Sequence, residues 1–313
     1  MRVLVLGGTG FIGRHVAAAL AARGHEVCIG TRHPARAARR LPAALRACEL
    51  REVHFERLAK RSDWHVVVAG CHAVVNAVGI LRPRGAATYE RVHHLAPAAL
   101  AAACALGARR LVHVSALGLS DEARSRFLRS KLAGERAIAA CAAPCSIVRP
   151  SLLEGEGGFG ARWLRWFARW PVHFVPAEAR GRIAVLDVAE LGEAIAVLCE
   201  TPASAEWREV ELGGTTALTM GEYLALLRAS RSFRPALRVL VPAWLARIVS
   251  HLCDVARFSP FSYGHLELLR RDNVPRTNLL PRLLGREPRE LVFLGRRSEL
   301  ADAAPVALRR PAL

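Results

Sequence analysis

Residues 3–13, Val-Leu-Val-Leu-Gly-Gly-Thr-Gly-Phe-Ile-Gly, constrain this chain more than any other stretch. Val3 to Leu6 is a short apolar run of the kind that fills a buried strand, and glycines follow at 7, 8, 10 and 13. Arg14 to Arg23 then reads as a helix with Val16, Ala17, Leu20 and Ala21 on one face. Strand, glycine turn and helix together make a dinucleotide seat. Gly7 is free to take a positive φ, Gly10 lets the backbone approach a pyrophosphate, and Gly13 lets the helix pack closely on the strand. The helix start offers unpaired N–H groups to the phosphates, so the candidate contacts are Gly7, Thr9, Gly10, Phe11, Ile12 and Gly13. The spacing is G-x-x-G-x-x-G, not G-x-G-x-x-G. Its weight comes from its place between strand and helix.

The 313 residues suit one large α/β domain, or a core with a smaller lobe, and at 52% hydrophobic there is ample material for a core. Lysine and arginine total 45 against 27 acids, a net charge of +18 that fits an anionic partner: nucleotide phosphate, acidic lipid or nucleic acid. An Arg- and Ala-rich composition accounts for much of the excess. No long basic tract interleaved with aromatics occurs, so no nucleic-acid partner is expected. The eight cysteines are scattered without a C-x-x-C pair, the pattern of reduced, mostly buried thiols in the cytoplasm, and no metal site is expected. The first apolar run is too short for a signal peptide, and no uninterrupted run of about 18 apolar residues predicts a spanning helix.

Glu26 to Gly30 reads as the second strand, and its exit discriminates between cofactors. An acidic residue there would bind a ribose 2′-hydroxyl, but this chain continues Thr31-Arg32-His33. A guanidinium at position 32 suits a 2′-phosphate, so NADP(H) is favoured over NAD(H), while Arg36, Arg39 and Arg40 read as a solvated helix face. Leu50–Phe55 is a weak third strand, a helix starts at Asp63-Trp64, and residues 73–79 form a fourth strand whose end, Ala77-Val78-Gly79, lies against the cofactor. Residues 90–105 read as a helix. Its adjacent His93 and His94 point about 100° apart, which suits packing or cleft residues and not one metal site. Residues 110–118, with Ser115 at the exit, give a fifth strand. Residues 127–135 lie on a helix and 145–151 give a sixth strand. The alternation predicts a doubly wound parallel α/β sheet of Rossmann type over residues 1–155, with residues 183–202 returning to it. A smaller, mostly helical C-terminal lobe takes 156–313.

These pieces resemble the atypical or extended short-chain dehydrogenase/reductase superfamily, NAD-dependent epimerase/dehydratase-like. They are the glycine turn, Asn76-Ala77-Val78-Gly79, Val114-Ser115-Ala116, the Lys131 helix, Arg149-Pro150-Ser151 and Asp187-Val188-Ala189-Glu190. More narrowly, the chain is similar to the branch of the nucleotide-binding accessory subunit of respiratory complex I and its bacterial relatives. That match rests on Val75 to Leu81, Ser115 to Gly118, Arg129-Ser130-Lys131, Leu268 to Asn273 and Leu284-Gly285. The resemblance implies that Lys131 holds the nicotinamide ribose and that Ser115 orients a carbonyl. Active members carry a proton-exchanging Tyr four residues before the Lys, where this chain has Phe127. The remaining tyrosines are Tyr89, Tyr223 and Tyr263. His54 stands where relatives usually carry an Asp near the adenine, so it is not taken as a site residue.

In the second lobe, Arg162 to Trp170 places Trp163, Trp166, Phe167 and Trp170 on one side and Arg162, Arg165 and Arg169 on the other. Such a helix fits an anionic membrane interface, or it covers the substrate cleft with its aromatic face inward. Thr219 and Glu222 form a capping box opening a helix to Ser230. Residues 242–252 and 260–271 read as helices, and 302–313 as a frayed end. Two functions follow. One is an NADP(H)-binding structural, assembly or sensing subunit in a membrane-associated complex linked to respiratory or quinone metabolism, cytoplasmic or peripheral at the membrane. The other is an NADPH-dependent reductase or isomerase of an apolar substrate with a non-standard proton donor.

Overall fold

The computed structural model describes residues 1–256, 259 and 261–290. The predicted frayed end at 302–313 and the predicted helix start at Pro260 lie outside the described residues. In chain order the elements are β1 (Arg2–Leu6), α1 (Phe11–Ala22), β2 (Glu26–Thr31), α2 (Pro34–Ala38), β3 (Glu49–Glu52), α3 (Arg61–Val67), β4 (Ala73–Asn76), α4 (Ala96–Leu106), β5 (Arg110–Val114), α5 (Arg126–Ala140) and β6 (Cys145–Pro150). There follow β7 (Leu153–Glu154), α6 (Phe159–Phe167), β8 (Val172–Pro176), β9 (Arg182–Ala184), β10 (Leu186–Asp187), α7 (Val188–Glu200), β11 (Glu209–Leu212), β12 (Ala217–Thr219), α8 (Met220–Ala229), β13 (Leu237–Val241), α9 (Ala243–Ala256), α10 (Tyr263–Leu269) and α11 (Leu280–Leu284).

Seven strands form one parallel sheet in the order β11-β6-β5-β4-β1-β2-β3. Its central strands are apolar on both faces, as a sheet covered by helices on both sides requires. One face packs Val3, Val5, Val16, Leu20 and Ile29 against Leu191, Ile195 and Leu280 from α7 and α11. The other packs Leu4, Leu6, Trp64 and Val74 against Leu100, Ile138 and Ile147. The strand order reverses beside β1, which opens a crevice at the carboxyl ends of β1 and β4, the place where such sheets bind ligands. The chain returns to the sheet further than expected, with α7 on its face and β11 hydrogen-bonded along β6.

The lobe has its own small core of Val175, Ile183, Val185, Met220, Tyr223, Leu224 and Leu227. It is built on short ribbons, β8 with β13 and β9 with β12, and on α6, α8, α9 and α10. The capping box forms as read: Thr219 Oγ1 accepts from the Glu222 N–H, and the Glu222 carboxylate accepts from the Thr219 N–H at 2.7 Å. The basic face read from the sequence of α6 is corrected. Arg165 turns inward onto the buried Glu154 carboxylate, which also accepts from the Tyr223 hydroxyl at 2.5 Å. An acid buried in the core attracts the guanidinium more strongly than solvent does, so only Arg162 and Arg169 remain outside.

Helix α5 is locked to the sheet by one buried ion pair. Glu135, almost fully buried, accepts from Arg149 Nε at 3.1 and 3.0 Å and from its terminal nitrogen at 2.6 Å, and Glu209 holds the other terminal nitrogen at 2.8 Å. Removing one partner strands a buried charge. Glu135→Ala is therefore expected to cost about 3 kcal/mol, the lower end of the usual range because Glu209 keeps Arg149 partly paired. Urea unfolding measures this; a loss under about 1 kcal/mol would show that the pair is not what holds α5.

Candidate functional site

The glycine turn closes the end of β1. Gly7 has φ +74°, a conformation that L side chains rarely adopt, and its N–H donates to the Gly30 carbonyl at 3.2 Å, tying the turn to β2. A Cβ on Gly13 would collide with the Gly7 carbonyl, so only glycine lets α1 start this close to the strand. Gly10 caps α1 from an extended conformation. From this turn a cleft of about 450 Å³ runs outward, lined by Gly7, Thr9, Gly10, Arg32, Ala77, Val78 and Gly79 among others.

Of the other predicted site residues, Phe11, Ile12, Gly13, Ser115 and Lys131 do not line the cleft. The Phe11 ring packs over Gly158 and edge-on to His15 at 5.9 Å, and Ile12 packs on the core. Arg36 and Arg40 correct the sequence reading, because both line the cleft with Arg32. The signal was their four-residue spacing after Arg32, with Arg36 in the short α2 and Arg40 just beyond its end. Arg14 lines the cleft as well, its guanidinium donating to the Glu156 carbonyl. Arg32, Arg36 and Arg40 make no ion pair among the described residues, while Glu56 is the one acid on the wall. His54 sits between Glu52 at 2.9 Å and Glu56 at 3.5 Å, outside the lining.

Beyond Gly79 and Ile80 the chain presents a second group of side chains. Residues 90–95 form a π-helical turn where sequence spacing predicted a regular helix. The turn buries His93 and leaves His94 outside, where it pairs with Glu90 at 2.7 Å. The Ile80 N–H donates to His93 Nε2 at 3.1 Å, so that nitrogen is unprotonated. Nδ1 therefore carries the proton and donates to Ser130 Oγ at 2.9 Å, which donates on to the Phe127 carbonyl at 2.8 Å. Burial pushes the His93 imidazole down to about 2, and the nearby Lys131 ammonium acts the same way. A Cβ on Gly134 would collide with the His93 carbonyl, so this glycine sets the closeness of α5 to the π turn.

Phe127 sits in a nest of rings. Tyr89 lies 5.8 Å away edge-on, His93 5.6 Å edge-on and His265 5.8 Å stacked. The Tyr89 hydroxyl donates to the Leu81 carbonyl at 2.7 Å, and burial raises its pKa. Sequence spacing gave no reason to put Tyr89 beside Phe127; the fold brings them together. Two polar groups in this region lack partners. Ser115 Oγ is buried without a hydrogen bond. The Lys131 ammonium makes no hydrogen bond or close ion pair among the described residues, and burial pushes it down to about 8, with Glu135 pulling the other way. His113, pushed down to about 3 by burial, is held through Asn76 at 3.0 Å. The glycine cradle and the cleft that opens from it fit a bound dinucleotide. No cluster of side chains fit to hold a metal ion occurs among the described residues.

Residues 7–164 match the family model described as NAD(P)H-binding. The chain belongs to that family. It is 26% identical over 225 residues to NADH dehydrogenase (ubiquinone) 1 alpha subcomplex subunit 9, mitochondrial, of Dictyostelium discoideum, covering 71% of this chain and 62% of that one. It is 29% identical over 206 residues to a ceramide reductase of Caulobacter vibrioides, covering 64% of this chain and 61% of that one. The chain thus spans about three-fifths of the length of these curated relatives. Among solved structures, a nucleoside-diphosphate-sugar epimerase of Staphylococcus aureus superposes with a TM-score of 0.71 at 16% identity, over 95% of this chain and all of that one. At that identity the likeness is one of fold.

The depressed Lys131 sets a pH dependence. The folded protein releases this proton near pH 8 and the unfolded chain near the ordinary 10.5. Between those values the unfolded state binds more protons, so the group's contribution to stability rises with pH across that window, and its full cost is present below pH 8. Lys131→Met is expected to unfold at a higher temperature than the wild type at pH 7, by about 1–3 kcal/mol of stability. The gap should close as the pH approaches 10.5. A wild type more stable than the Met variant at pH 7 would mean that the ammonium has a favourable partner.

Proposed function

We propose that this chain binds NADP(H) and works without the phenol-dependent proton transfer of standard short-chain dehydrogenases. It would serve as a cofactor-bound structural, assembly or sensing component linked to respiratory or quinone metabolism. Its place would be on the cytoplasmic side, at a membrane-associated complex or an anionic membrane surface. The observation that carries the reading is Phe127, one helical turn before the unpartnered Lys131, packed among Tyr89, His93 and His265. In this reading the Phe127 ring would take the place of the phenol, while Lys131 on the same helix would still hold the nicotinamide ribose. Likeness to a mitochondrial NADH dehydrogenase subunit supports the link to a membrane-associated complex.

The bound dinucleotide would supply hydride chemistry. For its adenosine end, the unpaired Arg32, Arg36 and Arg40 around Thr31 and His33 favour a 2′-phosphate, since no acid stands at the end of β2 to take a free 2′-hydroxyl. Gly7, Thr9, Gly10, Ala77, Val78 and Gly79 would face the pyrophosphate and nicotinamide halves. Phe11, Ile12 and Gly13 would serve through the backbone at the start of α1. Wild type should bind NADPH more tightly than NADH. Arg32→Ala should cost NADPH about 1.5–3 kcal/mol and leave NADH nearly unchanged, as calorimetry can measure. Equal affinities for the two nucleotides in the wild type would defeat the assignment.

A second reading, an NADPH-dependent reductase of an apolar substrate, is favoured by Tyr89. Its phenol lies on the ring nest, and a ceramide reductase is among the relatives. Ser115 would then orient the carbonyl. General acid help of this kind is worth about 10²–10⁴ in rate. Phe127→Tyr should leave NADPH affinity unchanged and raise turnover of any ketone that fits, and Lys131→Ala should weaken NADPH binding in both backgrounds. Brisk wild-type turnover that is insensitive to position 127 and abolished by Tyr89→Phe would establish the second reading over the first.

A further inference from the structure

Outside the cleft, the largest departure from ordinary surface chemistry lies on the second lobe. In α9 the side chains of Trp244, Leu245, Ile248, Val249, Leu252 and Val255 are all exposed, Trp244 at 64%, Leu252 at 61% and Val255 at 80%. At about 100° per residue they fill one arc of about 140°, while Ala246, Ser250 and Cys253 face the protein. An amphipathic helix normally buries such an arc; this one is turned outward. The ribbon leading into α9 repeats the inversion. Its parallel register pairs Val172 with Leu237, Phe174 with Val239 and Pro176 with Val241, so these residues share one face, and that face carries no polar side chain. Phe174 is 50% and Leu237 67% exposed on it. The patch continues into α6: the Leu237 N–H donates to the Pro171 carbonyl, and the exposed Trp170 just before it packs on Trp166 at 5.0 Å.

The charges around this surface have one sign. Residues 159–180 and 231–256 contain eight arginines, at 162, 165, 169, 180, 231, 234, 238 and 247, against two acids, Glu178 and Asp254. Arg165 is turned inward and all the others are exposed. Both acids are paired, Glu178 with Arg270 at 2.8 Å and with Arg247 at 3.5 Å, and Asp254 with Arg82 at 3.5 Å. A broad apolar face with three exposed tryptophans and a rim of exposed guanidinium groups, of which only Arg247 is ion-paired among the described residues, matches the layered chemistry of a bilayer surface, where indoles lie at headgroup level and anionic headgroups meet arginine. No helix among the described residues is long and apolar enough to cross a membrane, so the attachment is within the interface.

We infer that α9, the β8–β13 ribbon and the end of α6 form one docking platform for a bilayer containing anionic lipid. This rests on the membrane-surface part of the function proposed above and names the face responsible, centred on α9 and not on α6. The test is sedimentation of the full chain with vesicles of phosphatidylglycerol and phosphatidylcholine, and of phosphatidylcholine alone. Ile248→Glu and Leu252→Glu are compared with the wild type, with NADPH affinity as the measure that the variants are folded. The wild type should sediment with the anionic vesicles, less so at high salt. Each Glu substitution should weaken binding ~10-fold or more with NADPH affinity unchanged. Wild-type binding that neither substitution weakens would overturn the platform and leave the membrane reading standing. A wild type that ignores anionic vesicles would overturn both. A wild-type dimer in solution, broken by the same substitutions and without vesicle binding, would overturn the platform in favour of a second copy as occupant.

Discussion

The close seating of α1 on the end of β1 is the constraint on which the rest of the structure depends. Any Cβ at Gly13 would strike the Gly7 carbonyl, and Gly7 itself needs a positive φ. With both conditions met, the first turn of α1 faces the crevice where the strand order reverses, and the Gly7 backbone sits against Ala77 at the end of β4. The cleft is therefore a product of backbone geometry. Side chains complete its walls, with arginines gathered around α2 and apolar residues such as Val53, Phe55, Val78 and Ile80 along the rest.

The α5 end is built by tighter means. Gly134 lets the π turn approach, Glu135 fixes the helix through Arg149, and Ser130 joins the His93 imidazole to the Phe127 carbonyl. Each of these groups is paired, whereas Ser115 Oγ is buried without a hydrogen bond and the half-buried Lys131 ammonium has no close partner among the described residues. Buried polar groups in folded proteins are usually paired, which sets Ser115 apart from the scaffold around it.

Much of this was legible in the sequence because it depends on local pattern. Apolar runs between glycine turns gave the parallel sheet, and Thr219 with Glu222 gave a cap that forms as read. What was not legible depends on tertiary approach. Arg36 and Arg40 look like solvent residues by composition, and only the turn of α2 aims them at the cleft. Arg165 looks like one of three outward arginines, and only the buried Glu154 draws it in. Tyr89 meets Phe127 through the π turn, an irregularity that helical periodicity cannot express. The outward apolar arc of α9 was readable as an apolar helix, but periodicity fixes the arc and says nothing of which side it faces.

The two anomalous regions, the ring nest and the apolar platform, are physically joined. On α9, His251 stacks on Tyr263 of α10 at 4.5 Å, and two residues further His265 stacks on Phe127 of α5 at 5.8 Å. Arg82, from the loop that follows Ile80, donates to the Ser259 and Phe261 carbonyls at 2.6 and 2.8 Å and meets Asp254 of α9. Ser259 and Phe261 are thus tied through Arg82 to Asp254 of α9. Ring packing of this kind is specific, so these contacts fix how α10 sits against its two neighbours. Helix α10 is thus seated between α9 on one side and α5 on the other, through one ring contact to each.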